Sequence, residues 1–353
     1  MRFFNGLGVR GKEVFLKLEM PAGRSIKPEL WNEFFKGSRL ACARLITKVE
    51  NCPESIPEIR DKLIPLQKGA IRIGITGPPG VGKSTITAAL ARRALKAGHS
   101  VGVIAVDPSS PFTGGAFLGD RVRMQSLSGD QRIFIRSLAS RDGQGGLSPS
   151  TPYAADIFDA FGMDRIFIET VGVGQAELDV LTCADLILLV LQPGTGDIIQ
   201  ALKAGIFEVG DIFLVNKADL PGTECLLDSL RFLFEIRIRE NKGSAPPILT
   251  ASAIQDQGLD EVFAEMERQI HGLVQSGRYQ ERKRSRMEHE IKESILRNLW
   301  ERFSRLTNAR EEIQAISGRL LENRQSPYPY IRKTCAQIKM EFTNERSGCE
   351  NGE

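Results

Sequence analysis

Histidine is scarce in this chain: three residues in 353 (His99, His271, His289), all far apart in sequence. Catalysis by a His-centred triad is disfavoured on that count. The six cysteines (Cys42, Cys52, Cys183, Cys225, Cys335, Cys349) are scattered, with no CxxC pair and no matching histidine spacing. That argues against a disulfide framework or a zinc site and for reduced thiols. Long apolar runs are missing too, since nothing approaches the roughly eighteen unbroken apolar residues of a membrane helix. At the start, Lys12, Glu13, Lys17 and Glu19 interrupt any leader-like stretch. We expect a cytoplasmic protein with no membrane role. An excess of one charge is also absent: 47 Lys and Arg against 44 Asp and Glu leave +3, which does not favour a nucleic-acid partner held by phosphate neutralisation. What remains is 41% hydrophobic and 26% charged residues, an ordinary globular composition in a chain long enough for about two domains.

Three zones divide the chain. Over 1–69, Leu40, Ala43, Leu45, Ile46 and Val49 recur at helical spacing until Asn51, Pro53 and Pro57 break the pattern. Over 70–270, short apolar runs alternate with helical segments: Ile71 to Ile75, Val101 to Val106, Arg165 to Ile168, Leu186 to Leu191, Ile212 to Val215 and Ile248 to Thr250. Runs this short and this rich in Ile and Val suit strands buried on both faces of a parallel sheet, with right-handed crossovers, hence a doubly wound α/β domain. Over 271–353 the sequence turns charged and helical. Its stripe Met287, Ile291, Ile295, Leu299, Phe303, Leu306 fits either packing within its own domain or a subunit interface. The tail past Ser347 reads as loose.

The strongest signal follows the first run of the middle zone: Gly77-Pro78-Pro79-Gly80-Val81-Gly82-Lys83-Ser84-Thr85, or GxxxxGK[ST] between a strand and a helix. The glycines let main-chain N–H groups wrap a phosphate, and the following helix turns its N-terminal dipole on the anion. Lys83 would reach the β- and γ-phosphates, and the Ser84 hydroxyl would ligate Mg²⁺.

Asn216-Lys217-Ala218-Asp219 follows the run Ile212 to Val215, at the carboxyl end of a strand where a base would lie. A carboxylate there accepts from guanine N1–H and the exocyclic amine, a donor pair that adenine lacks, so Asp219 would select GTP. Thr250-Ala251-Ser252-Ala253 suits a loop whose amides hold guanine O6, with Ile254 at its end. Mg²⁺ and a water nucleophile also need oxygen ligands. Asp107, Asp120 and Glu169 stand at strand ends or in the loops after them, and Gly172 is spaced from Glu169 so that its N–H can meet the γ-phosphate. Arg121 and Arg123 suit either phosphates or acidic neighbours, while Gly145-Gly146 and Ser148 to Pro152 read as a mobile connection.

In order, the segments GPPGVGKST, VDPSS, GDRVRM, IRSLASR, ETVGVGQAE, PGTGD and NKAD resemble those of the MeaB/ArgK-like GTPases. These are G-protein chaperones of adenosylcobalamin-dependent acyl-CoA mutases such as methylmalonyl-CoA mutase, also labelled lysine/arginine/ornithine transport ATPases. The resemblance runs from about residue 40 to about 335. It implies a P-loop G domain of the signal-recognition-particle/MinD-like class, with a helical N-terminal region and a helical C-terminal arm that forms homodimers. It further implies that Lys83 and Ser84 bind phosphate and metal, that Asp107 and Asp120 lie in switch segments near Mg²⁺, and that Glu169 opens the third G motif. Asn216, Lys217 and Asp219 would bind guanine, with Ser252 and Ala253 completing the pocket. The segment from Gly194 through Asp197 to Lys203 would signal to the mutase. The sequence departs from the family at Ile198-Ile199, where an acidic residue and Leu are usual, and at Asp142 and Gln144. The expected activity is hydrolysis of GTP to GDP and phosphate, with slow basal turnover that a docked mutase raises. The competing readings are a nickel-insertion GTPase for hydrogenase or urease, a transport ATPase or kinase, and a GTP-sensing adaptor.

Overall fold

The computed structural model describes residues 14–17, 25–108, 127, 129–140, 147–170, 179–194, 210–239, 245–307, 309–323 and 325–341. The chain divides into two units, Ala22–Arg286 and a smaller one made of Met1–Pro21 with Met287–Glu353. In the smaller unit, β1 (Val14–Lys17) pairs in parallel with a strand at Ile338–Glu341.

In the larger unit three helices come first: α1 (Pro28–Phe35), α2 (Arg39–Asn51) and α3 (Ile56–Leu63). Ser38 caps α2 by accepting from the Ala41 amide at 3.3 Å. Asn51 ends α2 as the sequence suggests, but Pro57 lies in the first turn of α3 instead of breaking helical structure. A proline is tolerated there because that N–H has no intrahelical partner to lose.

The sheet follows: β2 (Ile71–Thr76), β3 (Val101–Pro108), β4 (Ile133–Ser140), β5 (Arg165–Glu169), β6 (Leu186–Leu191), β7 (Ile212–Asn216) and β8 (Ile248–Ala251). All pairings are parallel, in the order β4-β3-β5-β2-β6-β7-β8. The chain thus winds outward to one side of β2, returns to β5, and crosses to the other side for β6 to β8. Strand order reverses at β2, and the crevice above its carboxyl end is where such sheets take ligands.

Both faces are covered, which explains the near-continuous apolar strands. Ile73, Ile75, Val103 and Leu188 pack with Ile86 and Leu90 of α4 (Lys83–Lys96) and with a later helix over Leu259–Gln275. Ile104, Ile166 and Ile168 pack on the opposite side with Leu45 and Ile46 of α2 and Phe158 of α5 (Thr151–Phe161). The cluster Ser148, Ser150 and Thr151 is buried and leads into α5, so this part of the expected mobile connection is packed; Gly145 and Gly146 lie outside the described residues.

Strand β4 has no counterpart among the expected runs because Arg136 and Ser137 interrupt its apolar pattern. It is an edge strand, and α2 covers that edge. Arg39 donates to the Gln131 and Ile133 carbonyls at 2.8 and 2.6 Å, and Arg136 donates to Thr47 Oγ1 and Glu50 Oε2, both at 3.0 Å. Capping outward carbonyls this way prevents the edge from templating another strand.

The remaining helices among the described residues are α6 (Thr223–Arg239), α7 (Leu259–Gln275), α8 (Arg278–Thr307), α9 (Ala309–Glu322) and α10 (Tyr328–Gln337), and the strand at Ile338–Glu341 is β9. Beneath the amino ends of the strands lies an ion network. Arg72 of β2 pairs with Asp156 at 2.6 Å, and Asp156 also meets Arg60 at 3.1 Å. Asp185 accepts from the Arg72 amide at 2.9 Å and from Arg286 of α8. Arg282 pairs with Asp211 at 2.6 Å. Burial alone would lower the Arg72 pKa; Asp156 and Asp185 more than offset it and hold the guanidinium above the ordinary arginine range.

Candidate functional site

The loop Gly77 to Gly82 connects β2 to α4 at the point where strand order reverses. Gly77 has φ 140°, and a Cβ there would lie 2.0 Å from the Val190 carbonyl oxygen of β6. Only glycine lets the loop cross that neighbouring backbone. At Gly82, φ is 95° and a Cβ would meet Asn216 Nδ2 at 2.5 Å. Pro78 and Val81 are buried while Pro79 and Gly80 are exposed, so the loop presents a crown to solvent. Lys83 is buried, and its ammonium donates to the Gly77 and Pro78 carbonyls at 2.8 and 2.9 Å. Thr85 is half-buried in the first turn of α4.

Beside it stands the end of β5. Ser84 Oγ donates to Glu169 Oε1 at 2.6 Å, and both residues are buried. Thr170, the next residue, donates through its amide to Ile75 O and through Oγ1 to Thr76 Oγ1, both at 3.1 Å. The start of the phosphate loop and the exit of β5 are therefore tied together. A hydroxyl against a carboxylate is a hard-oxygen donor set of the kind Mg²⁺ prefers, so these two residues fit that ion. Asp107 is placed near the end of β3, in register with Ala139. Asp120, Arg121, Arg123, Gly172, Asp142, Gln144 and the segment 195–203 lie outside the described residues, as does the tail past Ser347.

The half that the sequence expects to face the base is built on Asn216, the last residue of β7. Its buried amide donates from Nδ2 to Val81 O at 2.7 Å, while Oδ1 accepts from the Ala253 amide at 3.1 Å. Asn216 thus pins the phosphate loop to the loop after β8. Lys217, at φ 58°, donates from Nζ to Gly80 O at 2.9 Å. Asp219 is exposed two residues on. Ser252 is buried and exchanges two 3.1 Å main-chain bonds with Gln257, closing a tight loop; Ala253 is half-buried and Ile254 is 87% exposed.

Sequence reasoning missed Arg93, on α4. It is 9% exposed, and it pairs with Asp256 at 3.0 Å and Asp260 at 2.7 Å. The hydrogen bond from Arg93 holds Asp256 below the usual carboxylate range. Within LARRALK, Arg93 carries no spacing signal that separates it from a solvated helix charge. Thr76 and Thr170 were missed for the same reason. Among the described residues, no group of three or more His, Cys, Asp and Glu could hold a metal by itself, and no described helix is long and apolar enough to cross a membrane.

Main-chain amides at a helix N-terminus, a lysine, a hydroxyl–carboxylate pair and an exposed carboxylate beyond a second strand can together grip a nucleoside triphosphate from phosphate to base. Comparison with known proteins gives the family. Residues 42–308 match the family described as methylmalonyl Co-A mutase-associated GTPase MeaB. A Pyrococcus abyssi protein named as a GTPase is 47% identical over 266 residues, covering 75% of this chain and 82% of its own length. The mouse mitochondrial methylmalonic aciduria type A homolog is 31% identical over 316 residues, covering 84% of this chain and 76% of its own. A crystal structure of a LAO/AO transport system kinase has the same fold, with TM-score 0.65 at 23% identity, covering 89% of this chain and 99% of that one. The chain is a P-loop GTPase and belongs to the MeaB family.

Proposed function

We propose that this GTPase serves an adenosylcobalamin-dependent acyl-CoA mutase, most closely a methylmalonyl-CoA mutase, by gating the loading of its cofactor or protecting it. The family description and the name of the mouse relative support that assignment. The observation that carries the nucleotide half of the reading is Asn216, which joins Val81 on the phosphate side to Ala253 on the base side through one side chain.

In this reading the amides of Gly80 to Thr85 hold the phosphates, and Lys83 exchanges its two loop carbonyls for phosphate oxygens. Ser84 and Glu169 would hold Mg²⁺, with Asp107 and Asp120 nearby; the ion, when bound, neutralises charge on the β- and γ-phosphates. Asp219 accepts from the guanine edge, and the loop of Ser252, Ala253 and Ile254 borders the base. Positioning and electrostatics carry the hydrolysis, and an incomplete site completed by a partner gives slow basal turnover. Gly172 and the switch segments pass the nucleotide state to the mutase. We further propose a cytoplasmic homodimer, divided into an N-terminal helical region (1–69), a G domain (70–270) and a helical arm (271–353) through which the copies associate.

Two measurements test the reading. GTP turnover at saturating acyl-CoA mutase should exceed basal turnover by about tenfold or more; an unchanged rate counts against the chaperone role. Asp219→Asn exchanges an acceptor for a donor, so the KM for GTP should rise by at least about tenfold and xanthosine triphosphate, whose C2 carries an oxygen, should become the better substrate. Unaltered base preference would remove Asp219 from the base site.

A further inference from the structure

The loop between Ser252 and Gln257 is short and exposed at its tip, yet both its limbs are tethered. Ala253 is held from β7 by Asn216 Oδ1, and Asp256 is held from α4 by Arg93. Asp256 sits at a φ of 56°, a left-handed backbone that aspartate adopts more readily than most residues with a side chain. The return limb is pressed against the strand it leaves: a Cβ at Gly258 would come within 2.3 Å of the Thr250 carbonyl oxygen. Arg93 is well placed as a post. Its guanidinium is nearly buried, Nε is fixed by Asp260 at 2.7 Å, and one terminal nitrogen reaches both Asp256 at 3.0 Å and the Ala89 carbonyl at 3.4 Å. The helix bearing this post is the one that begins at the phosphate loop.

We propose that Arg93 is a positioning residue for guanine recognition: through Asp256 it fixes the loop 253–256 against the phosphate helix, so that the loop's main-chain amides stand ready for the guanine O6. This rests on the reading of that loop as the wall of the base pocket. In this proposal Arg93 acts through Asp256. Its effect should therefore appear in base affinity and not in the chemical step, which separates it from an ion pair that merely fastens α7 through Asp260.

The full-length protein is titrated with GDP, IDP, ADP and inorganic tripolyphosphate, comparing wild type with Arg93→Met, Arg93→Lys, Asp256→Gly and the Arg93→Met/Asp256→Gly double variant. Glycine accepts the left-handed backbone, and Asp256 is exposed enough that the substitution leaves the fold intact. GDP and IDP share the O6 acceptor, ADP lacks it, and tripolyphosphate has no base. Asp256→Gly and Arg93→Met should each weaken GDP and IDP by about fivefold while leaving tripolyphosphate and ADP unchanged. Arg93→Lys should recover part of the loss, the double variant should bind no more weakly than Asp256→Gly alone, and the GTP KM should rise at constant kcat. GDP affinity within twofold of wild type in Asp256→Gly overturns the proposal. So does a parallel loss of tripolyphosphate, which marks a general disturbance of α4. A wild-type protein that binds tripolyphosphate but no guanine nucleotide overturns instead the assignment of the base pocket, and the role of Arg93 with it.

Discussion

Asn216 is buried and satisfies its donor and its acceptor on two different loops, at 2.7 and 3.1 Å. Alanine at this position strands the Val81 carbonyl and the Ala253 amide together. The buried Val81 carbonyl costs about 1–3 kcal/mol when orphaned and the half-buried Ala253 amide costs less, so Asn216→Ala should lower unfolding stability by about 2–4 kcal/mol. The urea midpoint should fall with an unchanged m-value, and a midpoint matching wild type would show that water replaces both bonds. The motif predicted Asn216 near the base; the structure gives its amide a tethering task that no tetrapeptide pattern can express. Lys83 is similar. Its place in the phosphate motif was legible, whereas its contacts with Gly77 O and Pro78 O depend on how the loop coils back over the helix.

At the scale of elements, the network under the strands holds the start of α8 through Arg282 and Arg286. Asp185 is fully buried and accepts from both the Arg72 amide and the Arg286 guanidinium. Removing the charge from this buried pair leaves the Arg286 guanidinium without its carboxylate, at a cost of about 3–5 kcal/mol. Asp185→Asn should show that loss in urea unfolding while the folded protein keeps its GTP turnover, because the network lies at the opposite ends of the strands from the phosphate loop. A loss of under 1 kcal/mol would mean that Arg72 and Arg286 find other acceptors. Sequence periodicity located six of the seven sheet strands, since burial on both faces leaves runs such as Leu186–Leu191 unbroken. It passed over β4, whose Arg136 faces α2, and gave no sign of the ion network. Asp156, Asp185 and Arg286 are far apart in sequence, and no local pattern brings them together. The first helix was also unread; its Trp31 and Phe34 are buried, Phe34 in part against the distant Phe161.

For the molecule as a whole, the stripe along α8 bears on assembly. Ile291, Ile295 and Leu296 are each more than half exposed in the single chain. Apolar side chains gathered on one helix in this way favour association with another surface. If the arm joins two copies, Ile295→Asp should convert a dimer to a monomer in analytical ultracentrifugation, with basal GTP turnover per chain preserved. A wild-type monomer at micromolar concentration would refute the dimer.

The pairing of β2 bears on how the chain is made. In the sheet, the strand that launches the phosphate loop pairs with β5 and β6, whose residues 165–169 and 186–191 follow it in synthesis by most of a domain's length. Until those segments leave the ribosome, Ile71–Thr76 has no neighbour to complete its backbone, and sheets assembled from such distant partners form slowly. The base-side tether on Ala253 arrives later still. A nascent chain halted before β8 would therefore hold the whole phosphate motif and still lack the loop at Ala253 that Asn216 fastens.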